Sequence, residues 1–358
     1  MKDKQEQSNK TETTKPHKRR VRYAGTHPRR FEEKYKELDP QRYGDTIEHV
    51  IDKGITPAGM HIPIMVDEIL NILCVKPGQI GVDATLGYGG HTSKILECLD
   101  HRGHLYSLDV DPIESVKTEE RLRLLGYDED VLTICHMNFK DIDLLTEKYG
   151  KMDFAMADLG VSSMQIDNPE RGFSYKQRGP LDLRMNPERG INASERLLEL
   201  SAEEMEGMFL ENADEPYAHE IVQQIIRKKR SGCRFRETTE LSDTIEEALR
   251  FLPEDIRDET VKKSCQRVFQ ALRIDVNSEF EALEAFMTKL PDMMKPGGRI
   301  AILTFHSGED RLVKKALKAG YKAGIYQKIA EDVVRPGKEE CIRNARARST
   351  KMRWAVLA

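Results

Sequence analysis

The sequence predicts an α/β fold whose mainly parallel sheet is interrupted by an all-helical insertion. Between about residues 61 and 159, short apolar runs typical of buried strands alternate with segments that carry apolar residues at helical spacing. Strand patterns vanish from Gly160 to about Gly232, and this stretch reads as loops and helices. They resume with Arg299–Phe305, in the last fifth of the chain. This order of elements is expected when a helical domain is inserted into an α/β domain.

The composition is that of a folded chain with a sizeable core. Its 358 residues are 39% hydrophobic, and the net charge is only −4, so any nucleic-acid binding must use local basic patches. The six cysteines are scattered without a C-x-x-C motif, which favours reduced thiols in a cytoplasmic protein and argues against a metal site. No apolar run reaches the length of a membrane span, and the basic N-terminus lacks the apolar segment of a secretory signal.

Residues 1–59 are expected to form a basic, mainly disordered extension. The first thirty residues are polar, and Lys18, Arg19, Arg20 and Arg22 form a cluster within them. Two interpretations remain open at this point. The extension is either an arm that contacts nucleic acid or a tail that only keeps the chain soluble.

The elements of the first half can be assigned in order. An amphipathic helix is predicted over Val66–Leu73 and is stopped by Pro77–Gly78. The elements that follow are a strand ending at Asp83, a helix to about Leu99, a strand ending at Asp109, a helix over Glu114–Leu125, a strand over Val131–Cys135, a helix over Asp141–Tyr149 and a strand over Met152–Leu159. The last of these strands is apolar enough to be buried on both faces, which is typical of a parallel sheet.

A glycine-rich segment, GVDATLGYGGH, joins the first predicted strand to the next helix. Gly87, Gly89 and Gly90 allow a tight turn and let a ligand approach the backbone, and the helix N-terminus adds a positive pole. An ordinary tight loop remains an alternative interpretation. Asp109 ends the next strand about twenty residues later, where a carboxylate can bind both ribose hydroxyls. The glycine-rich turn together with Asp109 is compatible with both NAD and S-adenosylmethionine. The G-x-G-G spacing offers no pyrophosphate cradle and therefore favours S-adenosylmethionine.

The helical insertion is predicted over about residues 164–270. Ser201 and Glu204 form a capping box before an amphipathic run. Further helical segments are Ile221–Ile226 and Leu241–Leu252. The absence of strand patterns in this region indicates a separate layer of helices.

The sheet is expected to resume after the insertion. Ser278 and Glu281 are predicted to form a second capping box, and Pro296–Gly298 to turn the chain into a strand. The predicted strands are Arg299–Phe305, Ile325–Ile329 and Lys351–Leu357. The last two would form an antiparallel pair beside the parallel strands.

Asp158 is the strongest catalytic candidate. It ends the fourth predicted strand within the segment DLGVSS, where ligands of open α/β sheets bind. The exocyclic amine of a nucleobase is a poor nucleophile because its lone pair is delocalised into the ring. A carboxylate that accepts its N–H raises the electron density on nitrogen and aligns it for attack on a sulfonium methyl group. The alternative is that Asp158 only caps a loop or contacts a cofactor.

Three further residues are candidates, and each has a structural alternative. Phe139 follows the third strand and could pack against an adenine ring, or it could be a core residue. His91 begins the helix after the glycines and could contact the carboxylate end of a cofactor, or it could face water. His306 ends the fifth strand and could accept a proton, although a structural histidine is the more frequent case.

Two basic segments could contact phosphates. The first comprises Arg227–Arg230, Arg234 and Arg236 within the insertion. The second comprises Arg343, Arg346, Arg348, Lys351 and Arg353 near the C-terminus. The alternative for the first segment is a solvated helix end that is favoured by the helix dipole.

Eight strings together resemble one family. They are DATLGYGGH, LDVDP, DLGVSSMQID, ERGFSY, GPLDLRM, FQALRIDVNSE, PGGRIAILTFHSGEDR and NARARSTKMR, and they extend from about His61 to the C-terminus. In this respect the chain resembles the MraW/RsmH-type methyltransferases, which methylate N4 of a decoding-centre cytosine in small-subunit (16S) ribosomal RNA. It departs from the family pattern in its N-terminal extension and at Gly308, where leucine is common, which suggests a divergent branch.

The resemblance implies a Rossmann-like class I methyltransferase fold. Residues 60–163 and 271–358 would form the methyltransferase domain, and residues 164–270 would form a helical domain that recognises the substrate. The implied contacts with S-adenosylmethionine are at Gly89, Gly90, His91, Asp109, Phe139, Asp158 and Gln165. The family also implies a cytoplasmic protein that acts on small-subunit rRNA or the small ribosomal subunit, without a membrane, and dimers are known within it.

Two alternatives to rRNA methylation remain open. The chain could methylate another RNA or a DNA base. It could also be an rRNA-binding assembly factor with little turnover, although the glycine turn, Asp109 and Asp158 together argue against this.

Overall fold

A computed structural model describes residues 63–358, so the extension predicted over residues 1–59 lies outside the described residues. The described part contains a seven-stranded sheet with the order β3-β2-β1-β4-β5-β7-β6. Its strands are β1 (Ile80–Asp83), β2 (His104–Asp109), β3 (Leu132–His136), β4 (Met152–Asp158), β5 (Met294–Thr304), β6 (Tyr326–Ile329) and β7 (Lys351–Leu357). None of the helices within residues 63–358 is both long and apolar enough to cross a membrane.

The direction of the strands places a crevice in the middle of the sheet. β1 is parallel to β2 and β4, β2 is parallel to β3, and β4 is parallel to β5. β7 is antiparallel to both β5 and β6. The strand order reverses between β1 and β4, and ligands of doubly wound sheets bind beyond the carboxyl ends of strands at such a point. The predicted α/β fold with a last antiparallel pair is confirmed.

Helices cover both faces of the sheet, and a further group lies between β4 and β5 in the chain. The helices are α1 (Val66–Leu73), α2 (Gly90–Leu99), α3 (Pro112–Leu124), α4 (Asp143–Tyr149), α5 (Ser163–Asp167), α6 (Ala193–Glu199), α7 (Ala202–Ala213), α8 (Ala218–Arg230), α9 (Thr238–Ala248), α10 (Glu254–Asn277), α11 (Glu279–Met293), α12 (Ser307–Lys322) and α13 (Lys338–Arg343).

The alternating side chains of β4 show how the sheet is covered. Phe154 and Met156 belong to the apolar core that includes α1 and α2, whereas Ala155 belongs to the core that includes α11 and α12. Burial on both faces explains why this strand is almost continuously apolar. The predicted strand over Met152–Leu159 is confirmed as Met152–Asp158.

The helices between β4 and β5 have an apolar core of their own. Phe209, Ile221, Phe235 and Leu272 are fully buried in this core, which draws on α6 to α10. α10 continues through the predicted domain boundary between residues 270 and 271 and ends at Asn277. The division of the chain into domains therefore stays a prediction, with one boundary inside a helix.

Two local predictions at the return to the sheet are wrong. Ser278 has a φ of 49° in the left-handed region, where it ends α10 and begins α11, and its side chain makes no capping hydrogen bond. The capping box at Ser201 and Glu204 is confirmed. The predicted turn at Pro296–Gly298 lies inside β5, where the register shifts opposite β4 and absorbs the extra residues.

Candidate active site

A cavity of about 370 Å³ opens at the carboxyl ends of β1, β2 and β4. Seven of the eight predicted site residues line it, namely Gly90, His91, Asp109, Phe139, Asp158, Gln165 and His306. Gly89 is the exception. Elements far apart in the chain also contribute, since Arg273 of α10, Leu283 of α11 and Arg346 near the C-terminus reach the same cavity.

Two of the three glycines of the turn, Gly87 and Gly89, have different roles. Gly87 has a φ of 48°, and a Cβ there would meet only the Thr85 carbonyl oxygen, at 3.9 Å, so the turn is open toward the cavity. A Cβ on Gly89 would lie 2.9 Å from Thr118 Cγ2 of α3. Gly89 is thus required for close packing against α3, whereas Gly87 leaves room for a ligand.

Asp109 closes the glycine turn from the neighbouring strand. The Gly87 N–H donates to its Oδ2 (2.8 Å), and the Asp111 N–H donates to its Oδ1 (2.8 Å). Burial raises the pKa of Asp109 to about 6, although these two N–H groups oppose the shift. Each oxygen retains a lone pair for a further donor, so the ionised group can accept hydrogen bonds from a diol.

Asp158 projects a carboxylate without a full set of partners into the cavity. Its Oδ2 lies 3.5 Å from His91 Nδ1, whereas its Oδ1 is buried and has no hydrogen-bond partner among the described residues. Burial and the nearby Glu309 carboxylate raise the pKa of Asp158 to about 7. A buried carboxylate of this kind can accept an N–H and exchange a proton near neutral pH.

His91 is held as a neutral partner for Asp158. Its Nε2 lies 2.9 Å from the Ile64 carbonyl oxygen, and a carbonyl can only accept, so Nε2 carries the proton. Nδ1 is then free to accept a hydrogen bond from the protonated form of Asp158. Burial lowers the pKa of His91, which keeps the ring neutral.

A second buried carboxylate supports the backbone of Asp158. Asp83 ends β1, is fully buried, and accepts hydrogen bonds from the Thr92 hydroxyl (2.7 Å) and the Thr85 N–H (3.1 Å). The Thr85 hydroxyl in turn accepts from the Asp158 N–H (2.6 Å). Burial raises the pKa of Asp83 to about 6. The sequence placed Asp83 at the end of a strand but gave no sign of this connection.

His306 lines the cavity and also contacts Glu309. Its Nε2 lies 3.0 Å from Glu309 Oε1, and its Nδ1 accepts the Glu309 N–H at 3.5 Å as the cap of α12. Burial raises the pKa of Glu309, but His306, Arg273 and the Phe305 N–H together outweigh burial, and the pKa is lowered overall. The role of His306 as a proton acceptor stays a prediction.

Asp111 and Arg171 do not line the cavity but support residues that do, and the sequence did not reveal this role. Asp111 is fully buried, and its Oδ2 accepts from Arg171 Nη1 (2.7 Å) and from Gln165 Nε2 (2.6 Å). Arg171 also donates from Nη2 to the carbonyl of Met185, which lines the cavity (2.8 Å). The strings LDVDP and ERGFSY contain both residues, but only the fold brings them together.

Gln165 and Phe139 also have structural contacts beside the cavity. Gln165 Oε1 accepts the Ser162 N–H (2.8 Å) in a capping box, so both ends of its amide have protein partners. The ring of Phe139 packs edge-on against Phe286 at 5.3 Å between centroids. Their contacts with a cofactor stay predictions.

The basic segments are partly used inside the protein. In the first segment, Lys229 donates to the carbonyls of Leu197 and Leu200 (both 2.9 Å), which leaves Arg227 and Arg230 exposed. In the C-terminal segment, Lys351 and Arg353 both bind Asp310. Arg346 contacts Asp167 at 3.2 Å.

Comparison with known proteins identifies the family and its relatives. The family model described as the MraW methylase family matches residues 58–357. The ribosomal RNA small subunit methyltransferase H 1 of Agathobacter rectalis is 63% identical over 96% of this chain and 99% of its own length. The ribosomal RNA small subunit methyltransferase H of Thioalkalivibrio sulfidiphilus is 34% identical over 84% of this chain and 98% of its own length. Most of the N-terminal extension therefore has a counterpart in the first relative.

Among solved structures, an rRNA methylase from Streptococcus thermophilus matches with 12% identity and a TM-score of 0.35, and the match covers 82% of this chain and 93% of the methylase chain. That likeness is too low to add to the assignment. The family match spans the sheet, the cavity and the intervening helices. The chain belongs to the MraW methylase family and is a methyltransferase that uses S-adenosylmethionine.

Proposed function

We propose that the protein transfers a methyl group to the N4 amine of a cytosine in the decoding region of small-subunit (16S) rRNA. Asp158 carries this proposal, because its unpartnered Oδ1 lies buried in the cavity that also holds the glycine turn and Asp109. The names of the relatives at 63% and 34% identity support small-subunit rRNA as the substrate. The base and its position come from the resemblance of the motifs.

The cavity suits S-adenosylmethionine. Asp109 would accept hydrogen bonds from the ribose hydroxyls, and Phe139 would contact the adenine. Gly87 leaves the backbone accessible before α2, and Gly90 and His91 at the start of this helix line the cavity. The bound cofactor supplies an electrophilic methyl group on a sulfonium sulfur.

The residues around Asp158 would handle the amine and its proton. The ionised carboxylate accepts one N–H of the exocyclic amine, which orients the nitrogen lone pair toward the methyl group. Nitrogen loses one proton when it gains the methyl group. With a pKa of about 7, Asp158 can take that proton and share it with the unprotonated Nδ1 of His91 at 3.5 Å. The target cytosine must be unpaired or extruded, because N4 lies on its Watson–Crick edge.

The test uses small ribosomal subunits from a strain that lacks this gene. They are incubated with the purified protein and labelled S-adenosylmethionine, and the rRNA is digested to nucleosides for mass spectrometry. We expect N4-methylated cytidine with the wild-type protein and none with Asp158→Ala. The control is Asp100→Ala, which removes an exposed carboxylate outside the cavity.

Two results would contradict the proposal. Labelled cytidine from Asp158→Ala at the wild-type rate would exclude the role of the carboxylate. Cofactor binding without any label in rRNA would mean that the substrate is wrong, and other RNAs and DNA would then be tested. A cytoplasmic location and a homodimer stay predictions.

A further inference from the structure

The exposed face of α12 carries charges of one sign. Five basic residues of this helix are exposed, namely Arg311, Lys314, Lys315, Lys318 and Lys322. Its two acidic residues point inward, since Glu309 is buried beside His306 and Asp310 binds Lys351 and Arg353. A face of this charge is unexpected in a chain whose net charge is −4.

Most of these cations have no acidic partner within residues 63–358. Arg311 lies 3.8 Å from Asp214, but Lys314, Lys315, Lys318 and Lys322 form no ion pair there. An ordinary solvated helix face mixes acids and bases at i, i+4 spacing. The absence of acids leaves a positive row that attracts a polyanion.

The last turn of α12 leads into a groove at the edge of the sheet. Lys318, Tyr321 and Lys322 line this groove together with Lys328 of the edge strand β6 and with Trp354 of β7. Tyr321 is 51% exposed, and Trp354 is half-buried. Two acids, Glu331 and Asp332, also line the groove against its three lysines.

We propose that this groove binds a single-stranded segment of the RNA substrate that flanks the target nucleotide. Aromatic rings beside cations are the usual components of such sites, because bases stack on the rings and phosphates contact the cations. The same helix connects the groove to the active site, since its cap His306 and Glu309 line the catalytic cavity. Sixteen residues of helix span about 24 Å, so the two sites would contact different nucleotides of one strand. This inference rests on the proposed RNA substrate and adds a second contact with it.

Trp354 makes the groove directly observable because it is the only tryptophan of the chain. Its fluorescence is titrated with a mixed-sequence RNA of about 15 nucleotides, near the upper end of single-strand site sizes. We expect saturable quenching of the fluorescence. Heparin, a polyanion without bases, is expected to compete for the lysines without reproducing the quenching.

Two variants test the two parts of the groove, and a third serves as their control. Lys318→Glu/Lys322→Glu should raise the Kd at least about tenfold and reduce the slope of log K against log salt by about 1.4, or about 0.7 for each lost phosphate contact. Tyr321→Ala should weaken binding about fivefold or more through lost stacking. The matched control is Lys76→Glu/Lys151→Glu, which makes the same charge change at exposed residues before β1 and β4. Thermal melts of all variants check that they are folded.

Three outcomes would contradict the proposal that the groove binds RNA. They are no quenching by RNA, equal quenching by heparin, and an equal loss of affinity in the control pair. Methylation of small subunits is measured separately with the same preparations. Wild-type methylation without quenching would reject only the groove, whereas quenching without methylation of rRNA would reject the proposed function.

Discussion

Arg171 Nη1 lies 2.7 Å from Asp111 Oδ2, and the two side chains are 8% and 0% exposed. This ion pair ties a loop after β4 to the end of β2. The Asp111 N–H also donates to Asp109, so one buried residue contacts both the proposed ribose acceptor and the loop on the other side of the cavity. Asp111 therefore links the two sides of the active site, through its carboxylate on one side and its backbone N–H on the other.

Replacement of Arg171 by methionine should destabilise the protein by about 3–5 kcal/mol, because the buried charge of Asp111 loses its partner. Urea unfolding measures this change. Arg178→Met is the control, because its ion pair with Glu237 is exposed and its loss should cost at most about 1 kcal/mol. Equal stability of the two variants would show that the buried pair does not hold the loop.

Asp158 should give the enzyme a pH dependence around neutrality. Its ionised form is the one that accepts an N–H, so kcat/KM should rise with pH through an apparent pKa of about 7. Asp158→Asn should lose most of kcat and show no such rise. A wild-type profile that is flat between about pH 6 and pH 8 would contradict the assignment.

The same residue should affect stability with the opposite sign. Its pKa is about 7 in the folded protein and 3.8 in the ordinary case, so the folded state binds more protons between these values. Stability contributed by this group is present below about pH 4 and is lost as the pH rises to about 7. Asp158→Asn should therefore raise Tm above that of the wild type at about pH 8 and have little effect at about pH 4. If Asp158→Asn had a lower Tm than the wild type at the higher pH, burial of the ionised carboxylate would not be destabilising.

Asp109→Ala should weaken cofactor binding more than about tenfold, since hydrogen bonds to a charged acceptor contribute about 1.5–3 kcal/mol each. Isothermal titration with S-adenosylmethionine measures the effect. Because the pKa of Asp109 is raised to about 6, wild-type affinity should also fall as the pH drops below this value. Unchanged affinity in the variant would mean that the ribose binds elsewhere.

Arg227→Glu/Arg230→Glu should weaken RNA binding and lower its salt dependence, because both side chains are exposed at the end of α8. Filter binding at several salt concentrations measures the slope. Lys229→Met is the internal comparison: it should lower stability while leaving the slope unchanged, because this ammonium group donates to two carbonyls. An unchanged slope in the arginine variant would remove this segment from the RNA footprint.

Gly308→Leu should destabilise the protein by about 1–3 kcal/mol through overpacking. A Cβ at this position would lie 2.5 Å from Phe280 Cζ, so the phenylalanine occupies the space that a leucine would need. The double variant Gly308→Leu/Phe280→Ala should recover part of the loss. If the single variant were as stable as the wild type, Phe280 would have to be able to move aside.

The sequence alone determined the order of the elements and the chemical class of the protein. Strands buried on both faces read as apolar runs, so their ends at Asp83, Asp109 and Asp158 could be placed to within a residue. Turn and cap residues are local signals, which explains why the capping box at Ser201 was predicted correctly. The motifs also identified the family that the comparisons show.

Only the tertiary structure decided which polar groups meet. Asp111 and Arg171 are separated by 60 positions in the sequence, and the segment between them carries no periodic signal of their contact, because a buried ion pair depends on how two loops pack. The close packing of Gly89 against α3 likewise depends on the tertiary structure. Local patterns specify backbone conformation, whereas the burial of a side chain in a cavity arises only when distant segments enclose the same space. Burial of this kind raises the pKa of Asp158 and leaves its Oδ1 without a partner among the described residues.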